Sequence, residues 1–118
     1  MELGRVNRLE IDRDTPPGLF LLDDEGNDVL LPGKQIPESF EIGDMLDVFV
    51  YLDNEERLIA TSEMPYIQLE EFGWLKVNQV TRHGAFLDLG IEKDLFVPFN
   101  EQARPMQEGK SYLVYMFL

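Results

Sequence analysis

The feature that most constrains this chain is that it repeats itself at a fixed spacing. Gly18-Leu19-Phe20-Leu21 aligns with Gly84-Ala85-Phe86-Leu87 at an offset of 66 residues. The register then continues without a gap. Leu30-Leu31-Pro32 falls on Phe96-Val97-Pro98, Gly43 on Gly109, Leu46 on Tyr112, Val48 on Val114, Val50 on Met116 and Leu52 on Leu118. Glycines and a proline recurring in step with apolar positions indicate one small structural unit used twice. Upstream, Gly4 and Gly73 each open a strand-like run, and aligning them makes the first connection three residues longer. The extra residues fall in Asp12-Arg13-Asp14-Thr15-Pro16-Pro17, a loop by composition.

Both copies read as short strands separated by turn signals, with no amphipathic helix of ordinary length. The first copy predicts strands near 3–12, 18–23, 28–32, 45–53 and 56–63, with hairpin turns at Asp23-Asp24-Glu25-Gly26-Asn27 and Asp53-Asn54-Glu55-Glu56. The second predicts strands near 73–81, 84–89, 94–98 and 111–118. Five strands in so short a segment suit an oligonucleotide-binding (OB) barrel. The expected fold is therefore all-β: two tandem five-stranded OB barrels, at residues 1–63 and 73–118, joined by a linker at 64–72. The counterpart of Arg57-Leu58-Ile59-Ala60-Thr61 would lie past Leu118, so the second barrel is expected to lack its last strand. On that reading the sequence is part of a longer protein, and its open sheet edge favours self-association.

Composition narrows the functions. There are no cysteines and one histidine, so thiolate metal sites, disulfides and thiol nucleophiles are excluded, and no metal or cofactor is expected. No Gly-rich phosphate loop and no Ser/His/Asp arrangement is present, which argues against an enzyme. No signal peptide or membrane-spanning run is visible, and the expected location is the cytoplasm. The net charge is -13, and it is unevenly shared. Residues 1–65 hold 5 Lys and Arg against 16 Asp and Glu; residues 66–118 hold 5 against 7. A phosphate polymer avoids so acidic a first half unless cations gather on one face.

The run Gly73-Trp74-Leu75-Lys76-Val77 through Arg82-His83-Gly84-Ala85-Phe86-Leu87-Asp88-Leu89-Gly90 resembles the opening of the S1 RNA-binding domain, an OB variant. The chain as a whole resembles the bacterial conserved virulence factor B family. The matching pieces include Asp24-Glu25-Gly26 before Val29-Leu30-Leu31-Pro32, Ile42-Gly43-Asp44 before Val48-Phe49-Val50-Tyr51-Leu52-Asp53, and Lys93-Asp94-Leu95 before Val97-Pro98. The resemblance implies a non-catalytic bacterial regulator that binds single-stranded RNA and carries further S1-like and winged-helix domains. It also implies contact residues: Phe20 and Phe86 for base stacking, His83 before the glycine, and Asp53 with Arg57 in the last hairpin. The family histidine is replaced by Pro32 and Pro98. Lys76, Arg82, Lys93, Arg57 and Lys34 are the candidate cations for phosphates.

The residues themselves leave alternatives open. Phe20 and Phe86 fit either a core or an outward stacking position. His83 fits a solvated loop, and Arg57 fits a surface bridge to Asp53. Trp74 is expected in barrel packing. Val48, Val50, Val114 and Met116 are expected on the core face, leaving Tyr51 and Phe117 on the other. The acidic first copy also suits a protein-interaction or positioning module that meets a basic partner, such as the ribosome or another protein.

Overall fold

The computed structural model describes residues 1–117, so the expected strand end at Leu118 lies outside the described residues. The chain divides into two compact units, Met1–Met64 and Pro65–Leu118. In the first, five strands close into a barrel in the order β1-β2-β3-β5-β4: β1 (Arg5–Thr15), β2 (Gly18–Leu22), β3 (Asp28–Pro32), β4 (Met45–Leu52) and β5 (Leu58–Thr61). β5 closes the barrel by running antiparallel to β4 and parallel to β3. In the second, β6 (Phe72–Thr81), β7 (Gly84–Leu87), β8 (Leu95–Pro98) and β9 (Ser111–Tyr115) form a four-stranded sheet in the order β8-β7-β6-β9. No helix among the described residues is long and apolar enough to cross a membrane.

The hydrogen-bond registers show where the sequence comparison needs correcting. Leu9 pairs with Leu46 and Leu75 with Tyr112; Arg13 pairs with Phe20 and Gln79 with Phe86. The offset of 66 therefore holds through the first strand as well, and Gly73 matches Asn7 rather than Gly4. The assumed loop at Asp12–Pro17 is mostly strand: β1 continues to Thr15, and only Pro16 and Pro17 turn. A β-bulge makes this possible. The register shifts between Ile11 and Arg13, and again between Val77 and Gln79, so one extra residue is absorbed without moving the inward side chains. Arg13 also neutralises its neighbours, lying 2.6 Å from Asp12 and 3.0 Å from Asp28.

Alternation sets the core. Leu9, Ile11, Leu19, Leu21, Val29, Leu31, Val48, Val50 and Ala60 form one buried cluster in the first barrel. In the second unit Leu75, Val77, Ala85, Leu87 and Met116 are buried, each 66 residues on from a member of that cluster. Each fully buried leucine, isoleucine or valine side chain among these is worth about 1.5–3 kcal/mol. Phe49 is also buried, although it alternates with the core valines, and its ring stacks on Tyr51 with centroids 5.9 Å apart. Trp74 departs from expectation outright. It is 71% exposed, because β6 turns Leu75 and Val77 inward and Trp74 with Lys76 outward. Residues 65–71 lie within the second unit, where Ile67 is buried and Glu70 N–H donates to Met116 O at 2.7 Å.

Two of the barrel's three hairpins, β2–β3 and β4–β5, share one design. Asp23 Oδ1 accepts the backbone N–H groups of Glu25 and Asn27, and Asp53 Oδ1 accepts those of Glu55 and Arg57. Each turn then needs a left-handed residue three positions on: Gly26 at φ 83° in one, Glu56 at φ 59° in the other. A side chain in that region costs roughly 1–2 kcal/mol. Glu56→Gly is therefore expected to stabilise the barrel by about 0.5–1 kcal/mol once the entropy of the added glycine is offset. A urea midpoint that rises at constant slope would show it.

Candidate functional site

On β7, Ala85 and Leu87 are buried and Phe86 between them is half-buried, so its ring points away from the core. The registers set Gln79, Phe86 and Phe96 side by side across three strands. The rings of Phe86 and Phe96 meet at 5.0 Å with a 41° tilt, and Phe96 is 42% exposed. Nearer the turn, beyond the row Val80, Ala85 and Val97, come Thr81, Gly84 and Pro98. Gly84 is required there: at φ 152°, a Cβ would stand 2.5 Å from Val97 O. The close approach it permits holds β8, and therefore Phe96, against Phe86.

The expected polar residues of this unit are spread over β6, the tip that follows it and the loop before β8. Arg82 and His83 are exposed at the β6–β7 tip, with Arg82 Nε donating to His83 Nε2 at 3.3 Å. His83 N–H donates to Thr81 Oγ1, which fixes the tip. Lys76 lies on the outward side of β6, where its carbonyl accepts from Asp88 N–H at 2.8 Å. Lys93 is half-buried in the loop before β8. Asn78, the bulge residue, donates to Asp94 at 3.3 Å. Phe96 was not among the expected site residues. Its signal was its position opposite Phe86, which only the pairing register reveals.

The equivalent face of the first unit differs. Phe20 also points away from the core, between buried Leu19 and Leu21. Its ring, however, is covered by Arg13, whose guanidinium carbon sits 4.3 Å from the centroid. Asp28 and Asp12 hold that guanidinium in place and raise its pKa, Asp28 by the larger hydrogen-bond contribution. At Arg13's position the second unit has Gln79, so no cation of this kind covers Phe86 from β6. Asp53 and Arg57 organise their own turn, since Asp53 Oδ2 accepts from Arg57 Nε at 3.1 Å and Arg57 also meets Glu55 at 3.2 Å.

These contacts predict an acid response. The Arg57 backbone N–H, ahead of the Glu55 N–H and the Arg57 side chain, holds the Asp53 carboxyl below its usual value. The terminal ammonium, 2.5 Å away, and then Asn27 do the same to Asp23. A carboxylate with a lowered folded pKa stabilises the fold above its unfolded value near ~4 and loses that contribution as pH falls through the folded value. Urea midpoints are expected to drop below about pH 4, and to drop less steeply in Asp53→Asn. Equal slopes for the two proteins would show that Asp53 does not carry the effect.

The closed five-stranded barrel and the all-β sheet beside it in sequence define a small β-barrel class of domain. The S1 domain family model matches residues 3–63, and the chain belongs to that family. It is similar to the uncharacterized protein YitL of Bacillus subtilis, at 37% identity over 95% of this chain and 39% of that protein. It is also similar to conserved virulence factor B of Staphylococcus epidermidis, at 29% identity, and of Staphylococcus aureus, at 30%. Each of those alignments covers 84% of this chain and 34% of the relative, so the chain spans well under half the length of the curated relatives it matches. Among solved structures it resembles a multidomain protein with nucleic acid binding domains from Streptococcus pneumoniae, with a TM-score of 0.75 over 96% of this chain and 41% of that one. At 21% identity that likeness establishes the fold. Among the described residues, no group of three or more His, Asp or Glu is placed to hold a metal.

Proposed function

We propose that this chain binds nucleic acid, and that single-stranded RNA lies on the outer face of β7 and β8 in the second unit. The carrying observation is the Phe86–Phe96 pair, outward, in contact and without the arginine that covers Phe20. Aromatic platforms of this kind are worth about 1–3 kcal/mol per stacked base and tolerate any sequence. Arg82 and His83 flank the platform at the hairpin tip, and Lys76 and Lys93 are the cations for phosphates. The near-neutral balance of residues 66–118 removes most of the repulsion that the acidic first half would impose. The nucleic acid binding domains named for the Streptococcus pneumoniae neighbour, and membership of the S1 family, support the same reading. The role is binding rather than catalysis, within a longer bacterial regulatory protein built from tandem OB-type barrels. A titration of fluorescent oligouridine at two salt concentrations tests it, with weak binding expected to weaken further at high salt.

The first unit fits a different role. With Arg13 closed over Phe20 and Asp53 and Arg57 engaged in their own turn, its RNA contacts are occupied. It is a positioning module whose acidic surface faces a basic protein partner, a ribosomal surface among them.

A further inference from the structure

Trp74 is 71% exposed on the outward side of β6, apart from the site built on Phe86 and Phe96. Its register partner on β9 is Leu113, also exposed. Farther along the same face Phe72 pairs with Tyr115, and their rings meet at 4.6 Å. These four side chains make an apolar patch on the outer face of two paired strands, and such patches mark binding surfaces. The exposure of Trp74 and Leu113 belongs to the fold rather than to the open edge of the sheet. In the first barrel, which β5 closes, their equivalents are Arg8 and Asp47, and these stand outside as well. They form a 3.2 Å ion pair with side chains 62% and 59% exposed.

The two units differ at this face in charge as well as in polarity. On β1 the next outward residue after Arg8 is Glu10; on β6 the next after Trp74 is Lys76, exposed and opposite Ser111. Lys76 is the one charged residue of β6 and β9 together. An aromatic plane followed by a lysine suits a base and its phosphate, whereas Arg8, Glu10 and Asp47 offer no ring and a net negative charge. The face also continues into the platform described above. Beyond Lys76 and the bulge at Asn78, Gln79 lies beside Phe86. From Gln79 back to Trp74 is about 16 Å of strand at the usual rise, within reach of the roughly 4–16 nucleotides that one OB fold covers.

We propose that the outer face of β6 and β9 is a second stacking platform for single-stranded RNA, with a base on Trp74 and a phosphate at Lys76. Resting on the reading that RNA occupies Phe86 and Phe96, it extends that site along β6, so that one RNA strand meets both platforms.

Trp74 is the single tryptophan, so its emission reports on this face alone. The test titrates the full chain with decauridine, following anisotropy of a labelled strand in one series and tryptophan emission with an unlabelled strand in another. Emission is expected to be quenched with the same midpoint as the anisotropy. Trp74→Ala is expected to weaken binding about tenfold, and Trp74→Phe, which keeps a ring, about threefold or less. Lys76→Glu, which copies Glu10, is expected to weaken binding and to lower the salt slope by about one. All three positions lie outside the core, and circular dichroism checks that the fold is kept. Saturating anisotropy with constant emission, or with Trp74→Ala binding like the parent, would overturn the inference and leave the Phe86–Phe96 reading standing. No saturable anisotropy for the parent would overturn both. Emission that shifts with protein concentration in the absence of RNA would put a second copy on the face and overturn the inference as well.

Discussion

Gly84→Ala is expected to cost the second unit about 3–5 kcal/mol. Two penalties combine. The backbone at φ 152° lies in a region that side chains avoid, and the new Cβ would press on Val97 O and on the Pro98 Cα 2.8 Å away, both main-chain atoms fixed by the β7–β8 ladder. Gly18 has the same φ and meets Leu31 O in the same way, so Gly18→Ala is expected to injure the first barrel to a similar degree. Gly26→Ala is the control. It shares the positive φ but has nothing within 4 Å of the new Cβ, so only the conformational penalty of about 1 kcal/mol remains. Amide spectra and urea unfolding followed by circular dichroism check the series. Comparable losses at Gly84 and Gly26 would mean that close strand approach is not what holds β8 in place. Trp74, the single tryptophan, is a poor reporter here because it is exposed in the folded protein.

Phe86→Ala is expected to weaken single-stranded RNA binding about tenfold, the equivalent of roughly 1.4 kcal/mol and within the range for one lost stacking platform. Phe20→Ala is expected to leave affinity within about twofold, because an arginine already occupies that ring and little free energy is lost with it. Neither side chain belongs to the buried cores, so both variants are expected to keep their fold.

Much of this was legible in the sequence, for reasons that can be named. The repeat from Gly18 to Pro32 and from Gly84 to Pro98 was visible because one steric requirement, glycine against a facing carbonyl, recurs in both units. The turn at Asp23 to Asn27 was visible because carboxylate and glycine each have a distinct task there. The far end of the first strand, Arg13 to Thr15, was not. Asp12-Arg13-Asp14 reads as loop because nothing local shows that Arg13 will bridge Asp12 and Asp28 across the ladder. The bulge has no residue signature of its own, so matching Gly4 to Gly73 looked natural although pairing matches Leu9 to Leu75.

The candidate site was harder still. Alternation placed Phe20 and Phe86 on one face or the other, but the inequality between them depends on a single bulge neighbour, arginine in one unit and glutamine in the other. Phe96 joins the site only through its register with Phe86. Asp53 and Arg57 were identifiable by resemblance, yet their hydrogen bonds turn inward to the hairpin. Trp74 looked like packing because large aromatics usually are packed, and the parity of β6 alone sets it outside.

The most direct test is one titration of fluorescent oligouridine at low salt with three proteins: the parent chain, Phe86→Ala and Phe20→Ala. Measurable binding by the parent, reduced about tenfold in Phe86→Ala and nearly unchanged in Phe20→Ala, is the result predicted for a stacking face in the second unit. No saturable binding at millimolar protein, or equal losses in the two variants, would contradict it.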